Sequence, residues 1–374
     1  MEELDEKLHL QLLNIGTDKR NEWMRERKPF SVLFELTSLC NMNCIHCYLQ
    51  NSHSPHMMSF QQIKDIIDIL YEKGILFITF TGGEILTRKD FIDIYIYVKK
   101  RGFLVELFTN GYLFTDEIIK VLQAYPPLLV DISLYGANEE TYKRITRIDG
   151  AFSKVIENCR KLKSSGIRVS LKSPIIKETF NEIEKMKQLA KEIGVPFVYS
   201  FEICPTIDKK TEPKSHQVEL KYTLDDEFNN YYEQVRRGDR IEGQINYEFI
   251  DKLAKSETVF ACNVGVNSFM IDYSGRMCPC MKLRHKGQVL NHDNYDAIWE
   301  SFKLFSTLRA SQNYKCMKCK SRYYCDVCPG EIEHMYGDYE YRNDSMCRPA
   351  ELRRCFYEKL LTFEDVIKQA SFDE

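Results

Sequence analysis

The chain has 374 residues, a formal net charge of −3, 44% hydrophobic and 29% charged residues. That length holds a barrel-sized domain plus a smaller unit, the composition is that of an ordinary globular protein, and the near-neutral charge excludes an electrostatic case for nucleic acid or an anionic membrane as partner. Met1 to Arg20 is charged and amphipathic without the apolar core of a signal peptide, and no apolar run approaches the roughly 20 residues that span a bilayer. These features place the protein in the cytoplasm, where thiols stay reduced, so the 14 cysteines read as metal ligands before disulfides.

Residues 1–30 read as an N-terminal helical segment. The body then alternates between short β-rich runs and segments of helical period. Strands are predicted over 31–36, 75–80, 103–108, 128–134, 167–173 and 196–203. Between them, a helix over 59–74 opens on the capping-box pair Ser59 and Gln62 and closes at Gly74. A second helix is capped by Thr87, a third covers 115–125 before Pro126 and Pro127, a long helical stretch runs from about 138 to 164, and a last one covers 180–194. Six strand–helix units imply parallel strands joined by right-handed crossovers, as a barrel or an open doubly wound sheet, with ligands at the C-terminal ends of the strands. The residues at those ends support that placement: a cysteine cluster after the first strand, Thr81-Gly82-Gly83-Glu84 after the second, Thr109-Asn110-Gly111 after the third, Ser133-Leu134-Tyr135-Gly136 after the fourth and Lys172-Ser173 after the fifth. Residues 206–260 read as a charged bridge with helix-like pieces, and 261–374 as a short-strand, loop-rich unit stapled by metal, ending in a helical tail.

The cysteines fall in two dense groups. Cys40, Cys44 and Cys47 crowd into eight residues, while Cys262, Cys278, Cys280, Cys316, Cys319, Cys325, Cys328 and Cys347 form the second group, with Cys355 beyond them. Soft thiolates suit zinc, copper(I) or iron–sulfur clusters. Structural zinc wants four ligands, and His46 is badly placed to be a fourth beside Cys47. Three thiolates on a four-iron cube leave one iron open for an exogenous ligand. In the second group the paired spacings Cys316-x2-Cys319 and Cys325-x2-Cys328 leave zinc and iron–sulfur both open. Cys159 reads as a buried small hydrophobe, Cys355 as structural, and Cys204 sits at the rim end of the sixth strand.

The run Cys40-Asn-Met-Asn-Cys44-Ile-His46-Cys47 resembles the CxxxCxΦC motif of the radical SAM superfamily. The resemblance covers about residues 31–205 and implies an α/β fold, a partial (β/α)6 TIM-type barrel. It also implies that the open iron of a [4Fe–4S] cluster chelates S-adenosylmethionine (SAM), whose reductive cleavage gives a 5′-deoxyadenosyl radical that abstracts hydrogen from substrate. By the same resemblance His46 lies near the adenine, Gly82-Gly83-Glu84 accepts from the SAM ammonium, Ser133 and Arg144 bind the SAM carboxylate, and Asn110 and Lys172 line the rim. Guanidinium suits carboxylate, and glycine lets a backbone come close.

The second cysteine group is similar to the SPASM domain of peptide- and protein-modifying radical SAM enzymes. It departs from the usual pattern in having two residues, not three, before Cys328. The resemblance implies two auxiliary [4Fe–4S] clusters: Cys316, Cys319, Cys325 and Cys347 on one, Cys262, Cys280 and Cys328 on the other, with Cys278 a possible fourth ligand. Tyr135, Glu202, Asp272 and Tyr273 are the candidate acid–base groups, although Asp272-Tyr273-Ser274-Gly275 by itself reads as a hairpin turn. The expected function is maturation of a ribosomally made precursor peptide by cross-linking, epimerisation or backbone excision. A sulfatase-maturase-like oxidation of Cys or Ser and a non-catalytic iron–sulfur or zinc scaffold are the alternatives. With about thirty residues ahead of the first strand, either a separate protein supplies leader recognition or the substrate binds directly, the separate protein being the expectation, and electrons are expected from a flavodoxin or ferredoxin.

Overall fold

The strands carry two alternating sets of side chains, and each set builds a different surface. In the computed structural model, which describes residues 16–49, 57–238 and 257–371, one set is apolar and fully buried: Val32, Phe34 and Leu36 on β1 (Ser31–Thr37), Ile78 and Phe80 on β2 (Phe77–Gly82), and Val105 and Leu107 on β3 (Leu104–Thr109). This set meets the apolar stripes of the crossover helices, such as Ile63, Ile66, Ile67 and Leu70 of α2 (Phe60–Glu72), the helix that follows α1 (Gly16–Arg25) in the chain. Full burial of each such side chain is worth about 1.5–3 kcal/mol.

The opposite set is polar. On the inner face, Thr79 donates to Glu106 at 3.0 Å, while Asp131 takes a bond from Ser170 and an ion pair from Lys172. These residues stand on β2, β3, β4 (Leu129–Ser133) and β5 (Val169–Pro174), whose registers bring them side by side. Burial and the neighbouring Asp131 hold the Glu106 carboxyl above its ordinary pKa.

Among the described residues the sheet has nine strands in the order β6-β5-β4-β3-β2-β1-β7-β8-β9. β1 to β6 (Phe197–Ser200) are mutually parallel, as the alternating pattern predicts. β7 (Ser268–Ile271) adds in parallel to the free side of β1, and β8 (Arg276–Cys278) and β9 (Gln288–Val289) follow antiparallel. The sheet is thus continuous across residue 261. Asp272 to Gly275 form the β7–β8 turn, with Gly275 at φ 82° donating to the Asp272 carbonyl.

Several elements differ from expectation. Thr87 does not cap a helix. It closes a short 3₁₀ turn, its hydroxyl donating to the Glu84 carbonyl, and α3 (Phe91–Lys100) begins after Asp90. The stretch 138–164 is two helices, α4 being Asp116–Ala124, α5 Glu139–Thr146 and α6 Ala151–Ser164. The break between α5 and α6 comes where Arg147 and Gly150 take left-handed conformations. The expected helix over 180–194 is a 3₁₀ turn followed by α7 (Ile183–Ile193). The charged bridge contains α8 (Leu220–Arg237), whose Leu224, Phe228 and Tyr231 are buried against Leu352, Phe356 and Val366. Phe228 and Phe356 stack at 3.7 Å. Residues 1–15 of the expected N-terminal helical segment and 239–256 of the bridge lie outside the described residues. The cysteine-rich segment also carries more helix than its loop-rich reading: α9 (Tyr295–Ser301), α10 (Lys303–Thr307), α11 (Pro329–Tyr336), α12 (Asp344–Tyr357) and α13 (Phe363–Ala370).

Two contacts fix the rim. Glu35, fully buried on β1, takes a two-pronged bond from Arg284 and a 2.9 Å bond from the Tyr48 hydroxyl. This ties the barrel to the turn after β8. Beside it, the backbone after β1 lies against the glycines after β2. A Cβ at Gly82, whose φ is +135°, would stand 2.2 Å from the Thr37 carbonyl oxygen, and one at Gly83 2.2 Å from that of Leu39.

Removing one partner of a buried ion pair strands the other charge. Arg284→Ala should therefore cost about 3–5 kcal/mol in chemical denaturation of the anaerobic protein. The double change Glu35→Leu with Arg284→Met should recover most of that loss. Gly83→Ala, which drives a methyl into backbone, should cost about 1–3 kcal/mol and lower the iron retained per chain, read by denaturation and iron assay.

Candidate functional site

The cysteine loop sits on the rim because three strand ends hold it. Gly83 N–H donates to the Thr37 carbonyl and Glu84 N–H to the Leu39 carbonyl, both at 2.8 Å. The Glu84 side chain is fully buried and accepts from Thr109 Oγ1 at 2.7 Å, Asn110 N at 2.6 Å and Leu86 N at 3.1 Å. Asn110 passes the tie onward, donating through Nδ2 to Asn41 Oδ1 at 2.8 Å and to Cys40 Sγ at 3.7 Å.

Above this frame lies a cavity of about 290 Å³. Its wall brings together Cys40, Cys44, Cys47, His46, Gly82, Gly83, Asn110, Ser133, Tyr135 and Glu202. Ser38, Tyr48 and Phe108, which no motif marks, also line it, as does Cys204 from the segment after β6. Phe108 shares the period-two face of Glu106 on β3, the signal that would have found it, whereas Ser38 falls on the parity of Phe34 and Leu36 and no period marks it.

Three residues expected at this site are placed elsewhere. The Glu84 carboxylate lies beneath the wall, committed to Thr109, Asn110 and Leu86. Arg144 is exposed on α5 and donates to the Glu178 carbonyl at 3.2 Å. Lys172 pairs with Asp131 inside the barrel, its ammonium 4.2 Å from the centre of the Phe108 ring. Of the other candidates, Asp272 is occupied by its own turn, accepting from the Ser274 and Arg276 N–H groups, and Tyr273 lines a neighbouring cavity.

The donor set fits an iron–sulfur cluster. Burial pushes the Cys40 thiol up to about 11 and holds the Cys44 thiol well above its ordinary value, so bare thiolates here need compensating positive charge. Backbone N–H groups of Met42 and Leu49 already point at Cys40 and Cys47 Sγ, both at 3.4 Å. Among the described residues no three cysteine sulfurs lie within 4.8 Å of one another, whereas a zinc tetrahedron with 2.3 Å bonds sets its sulfurs about 3.8 Å apart. Thiolates on different irons of a cube are spread more widely. Ser38 Oγ, Asn41 Nδ2 and His46 Nδ1 are buried around the loop without hydrogen-bond partners, as expected of groups that face a polar ligand. Burial holds His46 neutral, down to about 4, and its ring lies 5.2 Å from that of Tyr135.

The second cysteine group divides in space. Cys262 and Cys328 are electrostatic neighbours of Cys280, whose thiol burial pushes up to about 11. Cys316 and Cys319 neighbour Cys347, and Cys316 neighbours Cys325. Cys278 stands apart from both sets. Its sulfur packs under the turn after β8, 3.5 Å from the carbonyls of Arg276 and Arg284, and a Cβ at Gly287 would come 2.3 Å from it. The expected extra ligand is thus a thiol enclosed by backbone. Cys159 is fully buried on α6.

Comparison with known proteins agrees with this geometry. Residues 34–190 match the Radical SAM superfamily. The AdoMet-dependent heme synthase of Methanosarcina barkeri is 26% identical over 333 residues, covering 83% of this chain and 94% of that protein. The antilisterial bacteriocin subtilosin biosynthesis protein AlbA of Bacillus subtilis is 28% identical over 319 residues, covering 80% of this chain and 67% of that protein. Streptococcus suis SuiB, solved with its precursor peptide SuiA, shares the fold at a TM-score of 0.65 with 16% identity, over 88% of this chain and 79% of that one. Residues 34–190 are a radical SAM domain, and the homologues of the chain include the SPASM-type radical SAM enzymes that modify peptides.

Proposed function

We propose that this enzyme modifies a ribosomally made precursor peptide, by forming a cross-link, inverting a centre or excising backbone. The observation that carries the reading is the cavity in which Cys40, Cys44 and Cys47 meet Gly82, Gly83, Asn110 and Ser133, ringed by buried polar atoms without partners. With SAM and a reduced cluster bound, the site supplies a 5′-deoxyadenosyl radical for hydrogen abstraction. The chain's own residues do the rest. The three cysteines hold the cluster, and N–H groups of Met42 and Leu49 with the Asn110 amide tune it through hydrogen bonds to sulfur. The glycines let a ligand approach the backbone. His46 offers a neutral, flat ring beside Tyr135 for the adenine. Ser133 binds the SAM carboxylate, joined by Arg144 once its side chain leaves the Glu178 carbonyl.

In this reading Cys316, Cys319, Cys325 and Cys347 hold a closed auxiliary cluster, and Cys262, Cys280 and Cys328 hold a second. The relationship to the subtilosin protein supports a peptide substrate. A separate leader-binding protein and a flavodoxin- or ferredoxin-type donor complete the system. A second reading, modification of a tetrapyrrole, is favoured by the alignment over 94% of the heme synthase.

Anaerobic reconstitution should give about twelve irons per chain, four for each of three clusters. Cys347→Ala should leave about eight, and Cys278→Ala about twelve. Cys44→Ala should lose about four irons and all cleavage of SAM to 5′-deoxyadenosine. Zinc in place of iron overturns the reading. Co-expression with a short peptide encoded beside the enzyme should change that peptide's mass, and a mass change in coproporphyrin III instead would select the second reading.

A further inference from the structure

A second cavity, of about 410 Å³, adjoins the first, and Tyr48 and Cys204 line both. Three strong cations face it: Lys282, Arg284 and Arg276. Two of them are neutralised. Arg284 is clasped by Glu35, and Lys282 lies at the centre of Glu202, Cys204 and Glu331, within 2.8 Å of Glu202 Oε1 and of Cys204 Sγ and paired with Glu331. Arg276 is different. Its Nε and one terminal nitrogen donate to the Gly287 carbonyl, at 3.2 and 2.6 Å, and among the described residues no carboxylate pairs with it. The carboxylate nearest in sequence, Asp272, accepts from the Ser274 N–H and hydroxyl and the Arg276 backbone N–H.

The wall of this cavity has further unmet polarity. The Tyr273 hydroxyl donates to no protein group among the described residues, and His334 Nδ1 is buried without a hydrogen-bond partner. A half-buried guanidinium on a carbonyl keeps its full charge, and its strongest complement is a carboxylate, which accepts charge-assisted bonds from guanidinium and phenol together.

We infer that this second cavity is a substrate subsite that grips a carboxylate on Arg276 and Tyr273, thereby presenting a neighbouring carbon of the substrate to the SAM cavity past the shared Tyr48 and Cys204. The inference rests on the substrate reading above and narrows it: the substrate carries an anionic group close to the reacting position. An acidic side chain of a peptide and a propionate of a tetrapyrrole both offer that chemistry.

The test is binding to the reconstituted full chain, read by fluorescence, with matched probes. Dansyl-Gly-Glu-Gly-amide is compared with its Gln analogue, and coproporphyrin III with its tetramethyl ester. The free carboxylate of at least one pair should bind about tenfold tighter than its neutral partner, equal to about 1.4 kcal/mol. Arg276→Gln should abolish that preference. Tyr273→Phe, which removes a hydroxyl without a protein partner and keeps the ring, should reduce it about threefold. Preference for the Glu peptide alone supports the subsite and assigns it to a peptide. Preference for the porphyrin acid alone supports the subsite while overturning the peptide reading. Equal binding within both pairs, or a preference undiminished in both variants, overturns the subsite and leaves the radical chemistry untouched, because the readout is binding and not turnover.

Discussion

One buried carboxylate holds the rim together. Glu84 carries three hydrogen bonds inside the protein, and with its own N–H it joins the ends of β1, β2 and β3 at one point. Burial raises its pKa, and the bonds from Asn110, Thr109 and Leu86 offset part of that cost. Much of what holds the cysteine loop passes through this junction, while Asn43 and Ile45 N–H groups donate to the Thr146 and Ile145 carbonyls at the end of α5. Leu39 is held from Glu84 N–H, Asn41 and Cys40 are held through Asn110, and the glycines beside Glu84 leave no room for the loop to shift. A cluster-binding loop of eight residues has no core of its own, so its geometry is borrowed from the rim.

A second buried charge decides how the two cysteine groups face each other. Glu35 lies on the inner face of β1, where a lone carboxylate would be prohibitively costly, and Arg284 answers it from the turn after β8. Because β7 also pairs with β1, the segment bearing Cys280 is both hydrogen-bonded and charge-locked to the strand that launches Cys40. Lys282 repeats the device one step outward, linking the end of β6 to α11 through Glu202, Cys204 and Glu331. The two cavities therefore share Tyr48 and Cys204 in their walls, a site held on strands and short turns.

Much of this was legible from local chemistry. The hydrophobic period located the six parallel strands to within a few residues, and the Ser59–Gln62 capping box is present as read. Chain order carried the cysteine motif, Gly82-Gly83, Asn110 and Ser133 to one cavity because parallel strands put all their C-terminal ends on the same side. Local signals failed where long-range partners won. Thr87 looks like a cap but turns back onto the Glu84 carbonyl, and a helical period from 138 to 164 conceals the left-handed Arg147. The charged bridge hides an apolar stripe that only α12 and α13 reveal.

The strand–helix alternation, the thiol spacing and the placement of the glycines were readable along the chain, because these are properties of neighbouring residues and of backbone freedom. Which charges meet was not. Glu84 turned from a rim acceptor into an internal tie, Cys278 from a ligand into a thiol enclosed by carbonyls, and Lys172 into the partner of Asp131. Glu35 and Arg284 stand 249 positions apart. A buried charge must find an opposite one or neutralise, and that choice is made in space, by the packing of distant segments, not along the chain.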